Sequence, residues 1–292
     1  MNTPKRILNA LCIRGFFNFL SDEKYLKLLY YIRMDKKLNL ENPTTFNEKL
    51  QWLKINDRNS KYIKMVDKYE AKKYISSIIG EEYIIPTLGV WDKFDDINFD
   101  SLPNQFVLKC THDSGGVVIV KDKSKMDFDK ARKKIAKSLK KNFYWRGREW
   151  PYKRIKPRII AEEYLVDESG VELKDYKVMC FNGKVKCTFV CSNRKQGLNI
   201  DIYDENWNLM PFERLNHPQS GNLIKKPENY DLMVKMAEKL SENIPFLRID
   251  FYNINGKLYV GELTFYPANG MEGFKPETFD EIMGSWLNLP LN

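Results

Sequence analysis

Residues 248–264, RIDFYNINGKLYVGELT, alternate apolar and polar side chains on both sides of Asn255-Gly256, a strong marker of a tight reversal between two strands. The pattern predicts a β-hairpin with polar residues where apolar ones would be expected: Arg248 and Asp250 on the first arm, Glu262 and Thr264 on the second. A two-residue turn would set Glu262 opposite Ile249, among apolar side chains. A three-residue loop, Asn255 to Lys257, instead pairs Asp250 with Glu262 and Arg248 with Thr264 on one side. It leaves Leu247, Ile249, Phe251, Tyr259, Leu263 and Phe265 as an apolar opposite face. The second register is chemically preferable and is the one expected. Two carboxylates facing each other across a ladder repel unless something cationic lies between them. A hard divalent ion with oxygen ligands, such as Mg²⁺ bridging ATP phosphates, meets that need, with Arg248 placed to help.

Upstream, the chain runs through short β-branched and aromatic stretches: EYIIPTLGVW (82–91), QFVLKCT (105–111), GVVIVKD (116–122), RIIAEEYL (158–165) and DYKVMCFNGKVKCTFVCSN (175–193). Helical patterns interrupt them at 126–141 and 228–242. Before all of these, residues 4–40 read as helical with a start at Ser21. Thr44 or Thr45 opens a second helix with Glu48 completing a capping box, and KYIKMVDKYEAKKYISSII (61–79) predicts one helix ending at Gly80. Helices first, then mostly antiparallel strands with two helices inserted, is the α+β order.

The 292 residues, 43% hydrophobic, can bury a sizeable core. The N-terminus starts basic and turns apolar, but Arg14 and Gly15 interrupt it before it reaches the length of a secretory or membrane segment, so a cytoplasmic protein is expected. Five cysteines (Cys12, Cys110, Cys180, Cys187, Cys191) without a C-x-x-C pair read as buried thiols, and two histidines are too few for a Cys/His zinc site. The net charge of +9 is local: residues 130–158 hold 13 Lys or Arg against Glu149 alone. Such a stripe is either a solvated helix face or a surface for nucleic acid, an anionic membrane or an acidic substrate. Interleaved Tyr144, Trp145, Trp150 and Tyr152 tilt it towards binding.

Two further motifs carry chemistry. In FVLKCTHDSGGVVIV (106–120), a strand ends near Lys109, and Asp113, Ser114, Gly115 and Gly116 form a loop whose N–H groups can turn towards an anion. It is not a Walker loop, and taken alone it reads more readily as a hairpin turn. Glu162 and Glu163 end the strand at 158–165, while Asp175 and Lys177 share one face of a strand before the Asn182-Gly183 turn. Taken alone, that pair reads as a solvent-facing edge.

In combination, DK (67–68), the lysine before the Gly-rich loop, EEYL, DYK, RID and GELT resemble the ATP-grasp superfamily. FNEKLQWLK, DKYEAKKYI, FVLKCTHDSGG, REWPYKRIKPRIIAEEYL, DYKVMCFNGK and GELTFYP resemble more closely the TupA-like ATP-grasp family of teichuronopeptide and capsule loci, over roughly residues 40–285. The resemblance implies two α+β lobes (81–163 and 164–292) holding ATP between antiparallel sheets, after a helical N-terminal region (1–80) in place of the usual Rossmann-like subdomain. It implies that Lys68 and Lys109 contact ATP phosphates and that the loop with Asp113, Ser114, Gly115 and Gly116 closes over them. Glu162, Glu163 and Leu165 would form the adenine hinge, and Asp175 would take the ribose. Lys177 would sit near the γ-phosphate and Arg194 at the acyl-phosphate site. Arg248 would steady the transferring phosphoryl group, with Asp250, Glu262 and Thr264 at the metal. The superfamily commonly has Asn where Thr264 stands; a hydroxyl can also ligate Mg²⁺ but reaches less far.

The implied reaction is ATP-dependent carboxylate–amine ligation through an acyl phosphate, using ATP and two Mg²⁺, on a uronic-acid-containing sugar of a cell-surface polysaccharide. The basic stripe would attract that acidic sugar or sugar nucleotide, or an anionic membrane face; nucleic acid is not the expected partner. A sugar kinase fits the ATP residues equally well. A glycosyltransferase would want a D-x-D, whose nearest candidate is KFDDINFD (93–100).

Overall fold

The computed structural model describes residues 3–166, 173–194 and 197–290. Helices α1 (Thr3–Ile13), α2 (Asp22–Met34), α3 (Phe46–Asn56), α4 (Lys61–Val66) and α5 (Glu70–Ile79) precede every strand. Ser21 caps α2 by accepting from Lys24 N–H, and Thr45 and Glu48 form the reciprocal capping box of α3. The single helix expected over 61–79 is two. Asp67 accepts from the N–H groups of Tyr69 and Glu70 (2.9 and 3.1 Å), capping α5 instead of continuing α4. Its other oxygen is held by Thr111 and Arg158. Lys68 sits in this break, its N–H donating to the Thr111 carbonyl.

The remaining elements are β1 (Thr87–Trp91), β2 (Phe106–Cys110), β3 (Val117–Val120), α6 (Phe128–Leu139), α7 (Tyr144–Gly147), β4 (Ile159–Glu163), β5 (Asp175–Phe181), β6 (Lys184–Ser192), β7 (Asn199–Asp204), β8 (Glu213–Arg214), α8 (Tyr230–Leu240), β9 (Phe246–Ile254), β10 (Lys257–Thr264), β11 (Phe274–Lys275) and α9 (Thr278–Trp286). A four-stranded sheet runs β1-β4-β2-β3 and a five-stranded sheet β10-β9-β5-β6-β7, with β11 paired to β8. The pairings of these strands are all antiparallel, so the fold is the α+β class that the sequence predicts.

Three apolar clusters hold these parts. One joins α1 and α2; a second lies between α6 and the four-stranded sheet; the third spreads under the five-stranded sheet. The early helices therefore divide, because Phe46, Leu50, Tyr62, Met65 and Ile75 of α3 to α5 belong to the third cluster. All five cysteines are buried free thiols. No helix among the described residues is long and apolar enough to cross a membrane.

The hairpin reaches the expected pairing by a different route. The turn has two residues, Asn255 (φ 49°) and Gly256 (φ 78°), with Lys257 opposite Ile254. Positive φ at both positions is what the type I′ hairpin turn requires. Pairing continues to Val260 opposite Phe251, then slips by one at Gly261, so that Asp250 faces Glu262 and Arg248 faces Thr264. The three-residue loop is thus corrected to a tight turn plus a β-bulge. Tyr259 is also corrected: before the bulge the core takes Leu258 and Val260, and after it Leu263 and Phe265.

Candidate functional site

Register places the charges. Strand β9 lies between β10 and β5, with Lys177 directly opposite Asp250. Arg248 donates to Asp250 through Nε (2.6 Å) and Nη2 (2.9 Å), and Lys177 Nζ donates to the same carboxylate at 2.5 Å. Lys177 is also 2.6 Å from Asp175, which accepts from Arg194 at 2.7 Å. Arg248 Nη2 reaches to 3.8 Å from Glu262. The cations expected between the two acids are therefore supplied in part by the chain itself.

Burial opposes every charge here, and the partners decide the outcome. Burial would raise Asp250, but Arg248 and Lys177 outweigh it and hold its carboxyl below the usual range. Burial and the nearby Asp250 push Asp175 up despite its two cations. Lys177 and Arg248, which burial alone would lower, are raised chiefly by Asp250.

Among the described residues, Thr264 Oγ1 is buried without a partner, as is one oxygen of Asp175. Among the described residues no three His, Cys, Asp or Glu gather as a closed metal cage. Mg²⁺ seldom needs one, since it keeps several waters and takes one or two carboxylates plus substrate phosphates. Asp250, Glu262 and the unclaimed Thr264 hydroxyl are all oxygen donors and fit that mode of binding.

A second charge cluster faces the hairpin. Glu162 on β4 bridges Lys72 of α5 (2.6 Å) and Lys109 of β2 (2.5 Å). Burial would raise Glu162, but the two lysines hold it below its ordinary range. Lys68 Nζ donates to the Asp113 carbonyl at 2.5 Å. Lys68, Lys72, Glu162, Gly261 and Glu262 line one crevice between α5, β4 and the bulge of β10.

In the Gly-rich loop, Ser114 and Gly115 are exposed, and Gly115 (φ 119°) has open space around it. Asp113 is buried, its carboxylate accepting from Ser138 Oγ on α6 and from Gly116 N–H. Glu163 and Leu165 lie apart from the crevice. Glu163 is exposed and lines a separate groove with Tyr164, Leu88 and Gln105; Leu165 follows the end of β4, half-buried.

The family model for TupA-like ATPgrasp proteins matches residues 48–288. The chain belongs to the TupA-like ATPgrasp family. A search of curated proteins found no match. Among solved structures, a D-alanine–D-alanine ligase from Bacillus anthracis complexed with ATP is 18% identical (70% of this chain, 55% of that one, TM-score 0.42). An ADP complex of N5-carboxyaminoimidazole ribonucleotide synthetase is 15% identical (84% and 57%, TM-score 0.48), and a D-alanine–D-alanine ligase from Helicobacter pylori 13% identical (85% and 68%, TM-score 0.48). The chain spans little more than half the length of the first two.

Several site residues of this TupA-like chain escape motif reading. Lys72 had a signal, since it lies one helical turn from Lys68 in DKYEAKK. Arg214 and Glu272, which pair with each other across β8 and the approach to β11, had none. Burial pushes Arg214 down to about 10, and Arg248 adds to that. Glu149 is buried near Glu262 and Arg248; burial raises it to about 7, while burial lowers Lys54 to about 7.

The basic stripe is only partly a surface. Arg148 is fully buried against Tyr25 and Trp145 (4.3 and 4.5 Å to the ring centres), and Arg158 pairs with Asp67 and Glu70. Arg132 and Lys156 pair with Asp95 and Asp92. Lys130, Lys133, Lys134, Lys137, Lys140 and Lys141 form no ion pair among the described residues.

Proposed function

We propose that this chain is an ATP-dependent carboxylate–amine ligase. The observation that carries the reading is a pair of preset cation networks, Lys72 and Lys109 on Glu162 and Lys177 and Arg248 on Asp250, with Lys68, Lys72, Glu162 and Glu262 lining a narrow crevice of about 20 Å³. A triphosphate needs cations that are already in position, because ordering long side chains during reaction is costly. Here Lys72 and Lys109 are preset by Glu162, and Lys177 and Arg248 by Asp250.

Lys68, Lys72 and Lys109 would bind the phosphates, with the loop at 113–116 closing over them to exclude water. Asp250, Glu262 and Thr264 would hold Mg²⁺, which when bound supplies neutralisation of phosphate charge. Arg248 and Lys177 would stabilise the transferring phosphoryl group while a substrate carboxylate oxygen attacks the γ-phosphorus and the bond to ADP breaks. An amine then attacks the acyl carbon, phosphate leaves, the amine proton is released, and an amide remains. The lobes at 81–163 and 164–292 would clasp the nucleotide, and Glu162, Glu163 and Leu165 would form its adenine hinge.

The family and the unpaired lysines of α6 support a uronic-acid sugar of a cell-surface polysaccharide as the acid, met at the cytoplasmic membrane face. The test is ADP release with candidate uronic acids and amines, followed by product mass. Release that needs both, with amide formed, is expected. A phosphorylated sugar formed without amine would make the chain a kinase instead.

A further inference from the structure

The N-terminal surface carries a pattern that the ligase steps do not use. Residues 1–21 hold three cations, Lys5, Arg6 and Arg14, and no Asp or Glu; the first acid is Asp22. One face of α1 turns inward, where Leu8 and Cys12 join the apolar cluster shared with α2. Its other face exposes Ile7 (58%), Ile13 (49%) and Arg6, with Arg14 following on the same side. Gly15 (φ 85°) then turns the chain so that Phe17 and Leu20 pack on that cluster, while Phe16 and Phe19 stay 63% and 80% exposed. The turn is held in place: buried Arg148 donates through Nη2 to the carbonyls of Asn18 (3.3 Å) and Leu20 (3.4 Å). Arg148 also stacks on Trp145 of α7, which packs beside α1, and both Trp145 and Arg146 are exposed there. Lys5 pairs with Asp35, whereas Arg6, Arg14 and Arg146 form no ion pair among the described residues.

Single exposed apolar side chains need no explanation, but four on one cationic, acid-free surface do. An anionic bilayer layers the matching chemistry, phosphate charge above hydrocarbon. Apolar side chains can enter it while arginines stay with the phosphates and a tryptophan ring sits at the boundary. A second copy of this chain would instead set arginine against arginine, with no acid of residues 1–21 between them. We propose that α1, the turn at 14–20 and α7 form a contact that lies in the plane of an anionic bilayer. Ile7, Ile13, Phe16 and Phe19 enter the acyl boundary, and Arg6, Arg14 and Arg146 pair with lipid phosphates. The contact does not use the lysines of α6, and it stands apart from the ligase reading because it needs neither nucleotide nor substrate.

Flotation of the whole chain with vesicles tests it. One set is phosphatidylcholine alone, the other phosphatidylcholine with phosphatidylglycerol at about 2:1. The parent should bind the anionic set about tenfold or more tightly. Phe16→Ser combined with Phe19→Ser should weaken that binding about tenfold or more, and both side chains are exposed enough for the fold to persist. Arg6→Gln with Arg14→Gln should remove most of the preference for phosphatidylglycerol. Lys133→Gln with Lys137→Gln removes the same charge from α6 and should matter less. Equal affinity for the two vesicles, or a phenylalanine double variant within twofold of the parent, would overturn the proposal. So would an α6 pair that costs as much as the arginine pair, since the contact would then belong to α6. Sedimentation of the vesicle-free chain gives the last outcome: self-association that the phenylalanine changes abolish, without vesicle binding, assigns the surface to a second copy instead.

Discussion

Replacing Glu162 by Gln keeps the shape of the side chain and removes the charge that holds Lys72 and Lys109. The three side chains are 5%, 14% and 19% exposed, so both lysines are left largely out of water without an acid. Breaking a buried pair in this way costs about 3–5 kcal/mol, and the residual exposure of the lysines sets the expectation at the lower end, about 3 kcal/mol. Urea unfolding at neutral pH should show that gap from the parent. If the lysines are phosphate ligands, saturating AMP-PNP with Mg²⁺ supplies the missing negative charge, and the gap should narrow to about 1 kcal/mol or less. The pH dependence follows from sign. A carboxyl held below its ordinary 4.5 contributes fully above that value and loses its contribution as pH falls through the lower folded value. The gap should therefore be flat over roughly pH 5 to 8 and shrink on further acidification. A gap that AMP-PNP leaves unchanged or widens would refute the assignment of these lysines to phosphate.

Asp250→Asn removes the partner of both Arg248 and Lys177 and should cut ADP release by about 10²-fold or more; retention of over a tenth of the parent rate, measured by coupled assay, contradicts the proposed role. Thr264→Val removes a buried hydroxyl without a partner among the described residues, so metal-free stability should rise by about 1 kcal/mol while the added protection from Mg²⁺ with AMP-PNP falls. Thermal melts with and without EDTA decide this, and unchanged Mg²⁺ protection would exclude Thr264 from the metal. At Gly261 an added Cβ would lie 2.6 Å from Cε2 of Tyr252, so Gly261→Ala should cost about 1–3 kcal/mol, much of it recovered when Tyr252→Ala is added. Strict additivity in that double-mutant cycle would show that the bulge is not packed as described.

Local chemistry was legible because it depends on neighbours in sequence. Ser21, Thr45 with Glu48, and the Asn182-Gly183 turn act within a few residues, and the structure holds them as expected. Even the bulge left a trace: the apolar residues of 257–265 change parity at Gly261, from Leu258 and Val260 to Leu263 and Phe265. The sequence does not separate a three-residue loop from a two-residue turn followed by a bulge, because both give the same pairing for Asp250 and Glu262. The break at Asp67 was hidden because helical periodicity runs through it. What breaks the helix is the demand of Thr111 and Arg158 for that carboxylate, 44 and 91 residues away.

The α+β order, the hairpin with its four polar residues, and a family pattern that the match over 48–288 bears out all follow from the order of residues along the chain. Which charges meet depends on how distant segments pack. Lys72 and Glu162 are 90 residues apart in the chain, and Arg214 and Glu272 are 58 apart. Each pair exists because a sheet or a strand pair packs two distant segments together and shields them from water. Neither periodicity nor composition records that shielding, and it is what turns scattered lysines, arginines and carboxylates into a site.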